Sequence, residues 1–296
     1  MFYRISSSTA SISRNMSVDA SLRLLHEAGF DGVDFPLSVY SAEPNTPLRG
    51  EDWRQWVRSV EESCRRWQLP VVQAHASWHQ NIPEDFRYVP PQEIYERTFE
   101  ACRMLGCRNL IFHPLRQPER VGDESLRRRI HDYNVRWFHD LLPAAERCDV
   151  VINLENTFDS HHVQRAEDAP YPYTTAADML ALLHDIGSRH VALCLDTGHA
   201  NISGEDVPAM IRAFGRELAT VHLNDNYGRI GPIYEDLHLF VGYGRLDWSG
   251  IFAALQEIRF AGSLNLEPIS ELKRMPERIR LIQLRAAAET LRALAE

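Results

Sequence analysis

Six apolar runs in this chain stop on a side chain that carries charge or binds metal. They are VVQAH ending at His75, NLIFH at His113, VVINLE at Glu155, VALCLD at Asp196, ATVH at His222 and SLNLE at Glu267. A carboxylate or imidazole that closes a hydrophobic strand loses hydration, and only a positive or hydrogen-bonding group offsets that loss. Six such ends suggest one shared meeting point, with a metal ion as its simplest occupant. Glu155, Asp196, His222 and Glu267 make a donor set of three carboxylates and one imidazole. That set suits Mn²⁺, Mg²⁺ or Co²⁺ better than an ion that favours thiolates, and Zn²⁺ also fits. Taken singly, each of these residues also reads as a loop cap, half of a salt bridge or a satisfied core histidine. As a set, they read as a metal site.

A second group lies close by. His199 follows Asp196 in DTGH, and Asp236 and His238 form D-L-H downstream of His222. Together with His75 and His113 they read as ligands of further metals, as hydroxyl-binding groups, or as partners that orient the first four. A loop-structuring role stands beside each of these readings.

Residues so far apart in sequence need a fold that gathers them. Short β-like runs alternate with amphipathic helical stretches along the whole chain. FYRIS leads to SVDASLRLLHEAG, with Ser17 as N-cap and Gly29 as helix stop, and DGVDF is the next strand. In the following helix Trp53, Trp56, Val57, Val60, Cys64 and Trp67 share one face, which marks these tryptophans as core. Strand 70–75 precedes helix 91–105, strand 109–113 helix 124–147, and strand 149–155 helix 174–187. Strand 191–196 precedes helix 206–217, strand 219–223 helix 247–258, and strand 263–267 the closing helix 276–295.

Eight such units without a linker or low-complexity tract predict the α/β class: one closed (β/α)₈ TIM barrel occupying residues 1–296 as a single domain. The alternative, a doubly wound sheet, usually carries a Gly-rich turn after the first strand, and ISSSTAS is not one. In a barrel the C-terminal strand ends converge on one mouth, where active sites sit.

Composition narrows the classes of partner. The 41 acidic and 32 basic residues give a net charge of −9, the wrong sign for general attraction to nucleic acid or an anionic membrane. Five cysteines without C-x-x-C suit a reduced chain with structural thiols. With neither a signal-peptide pattern nor an apolar run of about 18 residues, the expected location is cytoplasmic.

ENTFD, LDTGHAN, VHLND and DLHLFVGYGRLDW together resemble the xylose-isomerase-like TIM-barrel superfamily, in its sugar phosphate isomerase/epimerase branch. The likeness runs through nearly the whole chain in the right order. It implies one divalent metal held by Glu155, Asp196, His222 and Glu267, with the two glutamates on opposite sides of a bound sugar and no organic cofactor. The implied activity is isomerisation or epimerisation of a sugar, sugar phosphate or keto-sugar through a metal-stabilised enediolate, with Glu155 and Glu267 as acid and base.

Two alternatives share this frame. One is a metal-dependent keto-sugar or cyclitol lyase or dehydratase. The other is an endonuclease-IV-like apurinic endonuclease with three zinc ions, whose nine ligand positions match His75, His113, Glu155, Asp196, His199, His222, Asp236, His238 and Glu267. The GYGRLDW stretch is closer to the PGxGxxDW pattern of the isomerase branch, with Val241 where that pattern usually has Pro. Weaker expectations are Trp78 as an apolar wall for a sugar ring and Arg229 or Arg245 as hydroxyl or carbonyl contacts. The polar loop 157–173 is expected to cover the mouth or meet a second subunit. The partner is then a small sugar or sugar derivative, with no nucleic acid and no membrane, and a homo-oligomer is compatible with the sequence.

Overall fold

The computed structural model describes residues 3–13, 15–77, 80–117, 124–158, 171–228, 236–268, 272 and 275–296. Eight parallel strands close on themselves in chain order. They are β1 (Ile5–Ser8), β2 (Gly32–Phe35), β3 (Val71–His75), β4 (Asn109–Phe112), β5 (Val151–Glu155), β6 (Val191–Asp196), β7 (Leu218–Leu223) and β8 (Leu264–Leu266). β8 pairs with β1, Asn265 opposite Ser6, so the sheet has no edge. This is the expected TIM barrel, and its closure disposes of the doubly wound sheet.

Helices pack outside the ring: α1 (Val18–Ala28), α2 (Trp53–Arg66), α3 (Glu93–Met104), α4 (Glu124–Cys148), α5 (Ala176–Ile186), α6 (Thr197–Ser203), α7 (Val207–Phe214), α8 (Trp248–Glu257) and α9 (Glu277–Ala295). Their ends follow local chemistry. The Ser17 hydroxyl accepts the Ala20 N–H at 3.2 Å, and Gly29, at φ 89°, ends α1 in the left-handed region that other residues enter at a cost. On α2, Trp53, Val57, Val60 and Cys64 are buried, and Trp56 and Trp67 pack partly buried against the same core. All five cysteines are free thiols. Among the described residues, no helix is long and apolar enough to cross a membrane.

One stretch departs from the expected layout. The helix anticipated over 206–217 is α7 followed by a 3₁₀ turn, Gly215–Glu217, and the short helix α6 precedes it. α6 begins immediately after Asp196, because that carboxylate caps it by accepting the His199 N–H at 2.7 Å.

Successive side chains of a strand point to opposite faces, and here the two faces differ in character. Val33, Phe35, Leu110, Phe112, Ile152, Leu154, Leu193, Leu195, Val221 and Leu266 join the apolar core beneath the helices. The alternate positions Ser6, Asp34, Gln73, Asn153, Thr220 and Asn265 are polar and buried. They bond to one another inside the ring: Ser6 Oγ donates to Asn265 Oδ1 at 2.9 Å, and Thr220 Oγ1 to Asn153 Oδ1 at 3.3 Å. Asn265 Nδ2 donates to Asp34 Oδ2 at 3.1 Å. Barrel interiors are usually filled with Val, Ile and Leu, so this polar lining is a property of this chain's inner face.

Candidate metal and active site

The marked residues arrive at one mouth because each ends a strand or sits beside its end. His75, Glu155 and Asp196 close β3, β5 and β6, His222 lies near the end of β7, and His113 and Glu267 follow β4 and β8 by one residue. The ligand atoms of Glu155, Asp196, His222 and Glu267 all lie within 4.8 Å of one another, in fully buried positions. His222 Nδ1 is 2.8 Å from Glu155 Oε1, 3.6 Å from Glu267 Oε2 and 4.0 Å from Asp196 Oδ2. Among the described residues, every ion-pair partner of these three carboxylates is an imidazole.

That composition tests whether a cation fits. Three buried carboxylates in so small a volume repel one another, and no ammonium or guanidinium of the described chain neutralises them. Three oxygens and one imidazole are also the donor types that a divalent ion of borderline or hard character takes. The residues present therefore fit such an ion.

The surrounding histidines have one nitrogen tied down and the other turned inward, the usual arrangement around a metal or a polar substrate. His75 Nδ1 meets Asp34 Oδ1 at 3.1 Å, while Nε2 lies 3.4 Å from Glu267 Oε1. His199 Nδ1 faces the Asn156 carbonyl at 2.8 Å and Nε2 faces Asp236 Oδ2 at 3.4 Å. His238 Nδ1 faces the Glu267 carbonyl at 2.9 Å, with Nε2 2.6 Å from Asp236 Oδ2. His113 Nε2 lies 3.0 Å from Glu155 Oε2. Asp196, His199 and His238 form a second buried group whose ligand atoms lie within 4.8 Å of one another. All nine strand-end and loop residues singled out in the sequence thus share one mouth.

The weaker expectations fare differently. Trp78 and Arg229 lie outside the described residues. Arg245 is exposed and lines a surface cavity with Asn201, Asp206, Pro208 and Asp247. Of loop 157–173, residues 157, 158 and 171–173 are described. There the Phe158 ring packs 4.6 Å from the His199 ring, and the Thr157 hydroxyl donates to the Pro172 carbonyl at 2.7 Å.

Sequence reading missed the residues that hold the site. Asn156 grips Asp196 by both backbone groups, accepting its N–H at 2.8 Å and donating to its carbonyl at 3.1 Å. Asn224 Nδ2 donates to Asp196 Oδ2 at 2.6 Å, an approach that Gly198 makes possible, since a Cβ there would lie 1.9 Å from Asn224 Oδ1. The Asp225 carboxylate takes the Trp248 indole N–H at 2.8 Å and the Gly242 N–H at 3.1 Å, pinning the GYGRLDW loop. Asp34 lies deeper, one position before the end of GVDF. The available signal was polarity next to the marked positions: Asn156 follows Glu155, and Asn224 and Asp225 follow His222 by two and three residues.

Burial and charge push the titrating groups apart. Burial raises both glutamates. In Glu155 the imidazoles of His222 and His113 outweigh it and hold the carboxyl well below its usual range. In Glu267 burial prevails over the same kind of neighbours, and the carboxyl is raised. Burial alone lowers His199 and His238. Asp196 and Asp236 nevertheless bring His199 up to about 9, and Asp236 brings His238 up to about 10. Asp236 is pushed upward by burial and downward, more strongly, by His238 and His199.

A D-psicose 3-epimerase from Enterocloster bolteae is 32% identical over 136 residues, which are 45% of this chain and 38% of that protein, well under half its length. An uncharacterised protein of Mycobacterium leprae is 26% identical over 277 residues, covering 89% of this chain and 88% of that one. Among solved structures, the IolI protein, described with a binding zinc atom, superposes with a TM-score of 0.75 at 18% identity, covering 99% of this chain and 98% of its own. The xylose isomerase-like TIM barrel signature matches residues 22–294, from within the first helix to the end of the last, and the chain belongs to that family.

Proposed function

We propose that this chain is a divalent-metal-dependent epimerase of a ketose or related keto-sugar, with Glu155 and Glu267 exchanging the proton. The observation that carries this reading is the approach of Glu155, Asp196, His222 and Glu267 to within 4.8 Å of one another in a buried mouth. The partial likeness to a D-psicose 3-epimerase supports a sugar as substrate. Residues 1–296 are read as one domain without an organic cofactor.

A hydrogen beside a ketone is too weakly acidic to leave readily in water. A divalent ion held by these four residues would supply Lewis-acid stabilisation of the developing enediolate, worth several kcal/mol. The rest falls to the chain. β5 and β8 are separated on the ring by β6 and β7, so Glu155 and Glu267 enter the mouth from different sides. One carboxylate removes the proton from one face of the sugar, the other returns a proton to the opposite face, and the carbon inverts. A single glutamate acting twice would move the carbonyl instead, which is aldose–ketose isomerisation. His75, His113 and His199 present ring nitrogens toward the same space and suit the substrate hydroxyls.

The test is incubation with D-psicose, D-fructose, D-tagatose and L-ribulose in deuterated water. The expected result is the epimer of at least one sugar, carrying one deuterium at the inverted carbon. A product that has lost water would assign the lyase reading, and absence of exchange with every keto-sugar tried would overturn the proposal. The group Asp196, His199 and His238, with Asp236 between the two imidazoles, favours a second reading with three zinc ions and apurinic DNA as substrate. Elemental analysis separates the two: one ion per chain for sugar chemistry, three zincs for the nuclease.

A further inference from the structure

We propose that Asp34 is a positioning residue: its carboxylate, inside the barrel, fixes His75 as the Nδ1–H tautomer, so that the opposite ring nitrogen faces Glu155 and Glu267. Its consequence for cation binding rests on the reading of the site given above. The tautomer itself does not.

Asp34 sits on β2, fully buried, one position before the strand ends. Its Oδ1 is 3.1 Å from His75 Nδ1. Its Oδ2 accepts Asn265 Nδ2 at 3.1 Å and Gln73 Nε2 at 3.4 Å, and lies 3.9 Å from His222 Nε2. The two imidazoles stack above it with centroids 4.8 Å apart and planes 25° from parallel.

A carboxylate only accepts hydrogen bonds, so the nitrogen that meets it must carry the hydrogen. In the neutral ring His75 then keeps an Nε2 lone pair, on a buried atom that has no hydrogen-bond partner. That atom lies 3.4 Å from Glu267 Oε1 and 3.9 Å from Glu155 Oε2. His222 presents Nδ1 to Glu155 at 2.8 Å, while its Nε2, 3.9 Å from Asp34, forms no hydrogen bond. An asparagine would fill the same volume, but its NH₂ would confront the amide donors of Asn265 and Gln73, or else His75. Only an acceptor at both oxygens satisfies every neighbour. With no hydrogen on Nε2, His75 does not compete as a donor for Glu267, and loss of such a support behind a metal ligand typically costs about 10- to 100-fold in metal affinity.

The test combines two readouts on the parent, Asp34→Asn and Asp34→Glu. Nitrogen NMR of the histidine rings in cation-free protein, at a pH above the imidazole range, reads the tautomer; a Co²⁺ titration reads affinity. The parent should show His75 protonated at Nδ1. Asp34→Asn should lose that form and bind Co²⁺ roughly 10- to 100-fold more weakly, and Asp34→Glu should restore both. Asp34→Asn with an unchanged tautomer and affinity within about twofold of the parent would overturn the assignment. An Nε2–H His75 in the parent would do so by itself, whether or not the variants fold. A parent that binds no divalent cation, yet shows the Nδ1–H form lost in Asp34→Asn, would instead sink the cation reading and leave Asp34 in its role.

Discussion

Leu154 and Glu155 are neighbours on β5, yet they belong to different regions. Leu154 joins the apolar shell between strands and helices, whereas Glu155 enters the polar mouth beside His222 and His113. The same division separates Leu195 from Asp196, Val221 from His222 and Leu266 from Glu267. Outside the ring, burial of hydrocarbon is favourable at about 25 cal/mol per Å² and needs no direction. Inside it, desolvated charges and amides must be matched atom by atom, at a cost in stability that a purely hydrophobic interior would avoid. One sheet therefore segregates stability and chemistry by the alternation of its side chains. Substitutions on the two faces should fail in opposite ways.

The largest effect is expected on the inner face. Glu155→Gln or Glu267→Gln should lower substrate C–H exchange by about 10²- to 10⁴-fold, the usual worth of a positioned acid or base. The melting temperature should hold or rise in Glu267→Gln, whose carboxyl burial raises, and fall in Glu155→Gln, which strips His222 and His113 of their carboxylate. Exchange persisting in both variants would rule out the two-glutamate mechanism. On the outer face the pattern reverses: Leu154→Ala or Leu193→Ala should cost about 2–5 kcal/mol in denaturant unfolding while the folded fraction keeps its turnover. A loss of turnover without a loss of stability would erase the distinction between the faces.

A smaller effect belongs to the supports of the mouth. Gly198→Ala places a methyl 1.9 Å from Asn224 Oδ1, and Asn224 must withdraw from Asp196. Isothermal titration with Mn²⁺ should show affinity about 10- to 100-fold weaker, with about 1–3 kcal/mol of stability lost to overpacking; unaltered affinity would mean that Asn224 does not matter to Asp196.

The smallest effect is one of pH. His199 and His238, held near 9 and 10 by Asp236 and Asp196, titrate in an unfolded chain near about 6.5. Their contribution to cation-free stability is complete below that unfolded value and is lost as pH climbs through about 9 and then about 10. Thermal melts of cation-free protein should therefore decline from neutral pH to about 10, and a His199→Gln/His238→Gln variant should decline less.

Much of this was legible in the residues. Eight alternating apolar runs specify the closed ring, and a titratable group at the end of an apolar run shows that something at the mouth receives it. Asp34 escaped notice because GVDF continues with Phe35, so its acid looked like an interruption of the strand and not its end. Asn156, Asn224 and Asp225 escaped because amides and acids in loops are common, and only three-dimensional contact reveals which of them grips Asp196 or the loop over β7. Helix α6 was invisible for a related reason: its cap is Asp196, a residue already given another task. Groups that act directly leave a pattern in one dimension, whereas groups that act through a neighbour do not.

Anomalous X-ray diffraction from crystals grown with Mn²⁺ tests the central claim most directly. The account predicts one strong anomalous peak bonded to Glu155, Asp196, His222 and Glu267 at roughly 2.0–2.3 Å, with His75 unbonded and turned by Asp34 toward the two glutamates. Manganese bound elsewhere, with those four side chains left paired only to one another, would contradict it.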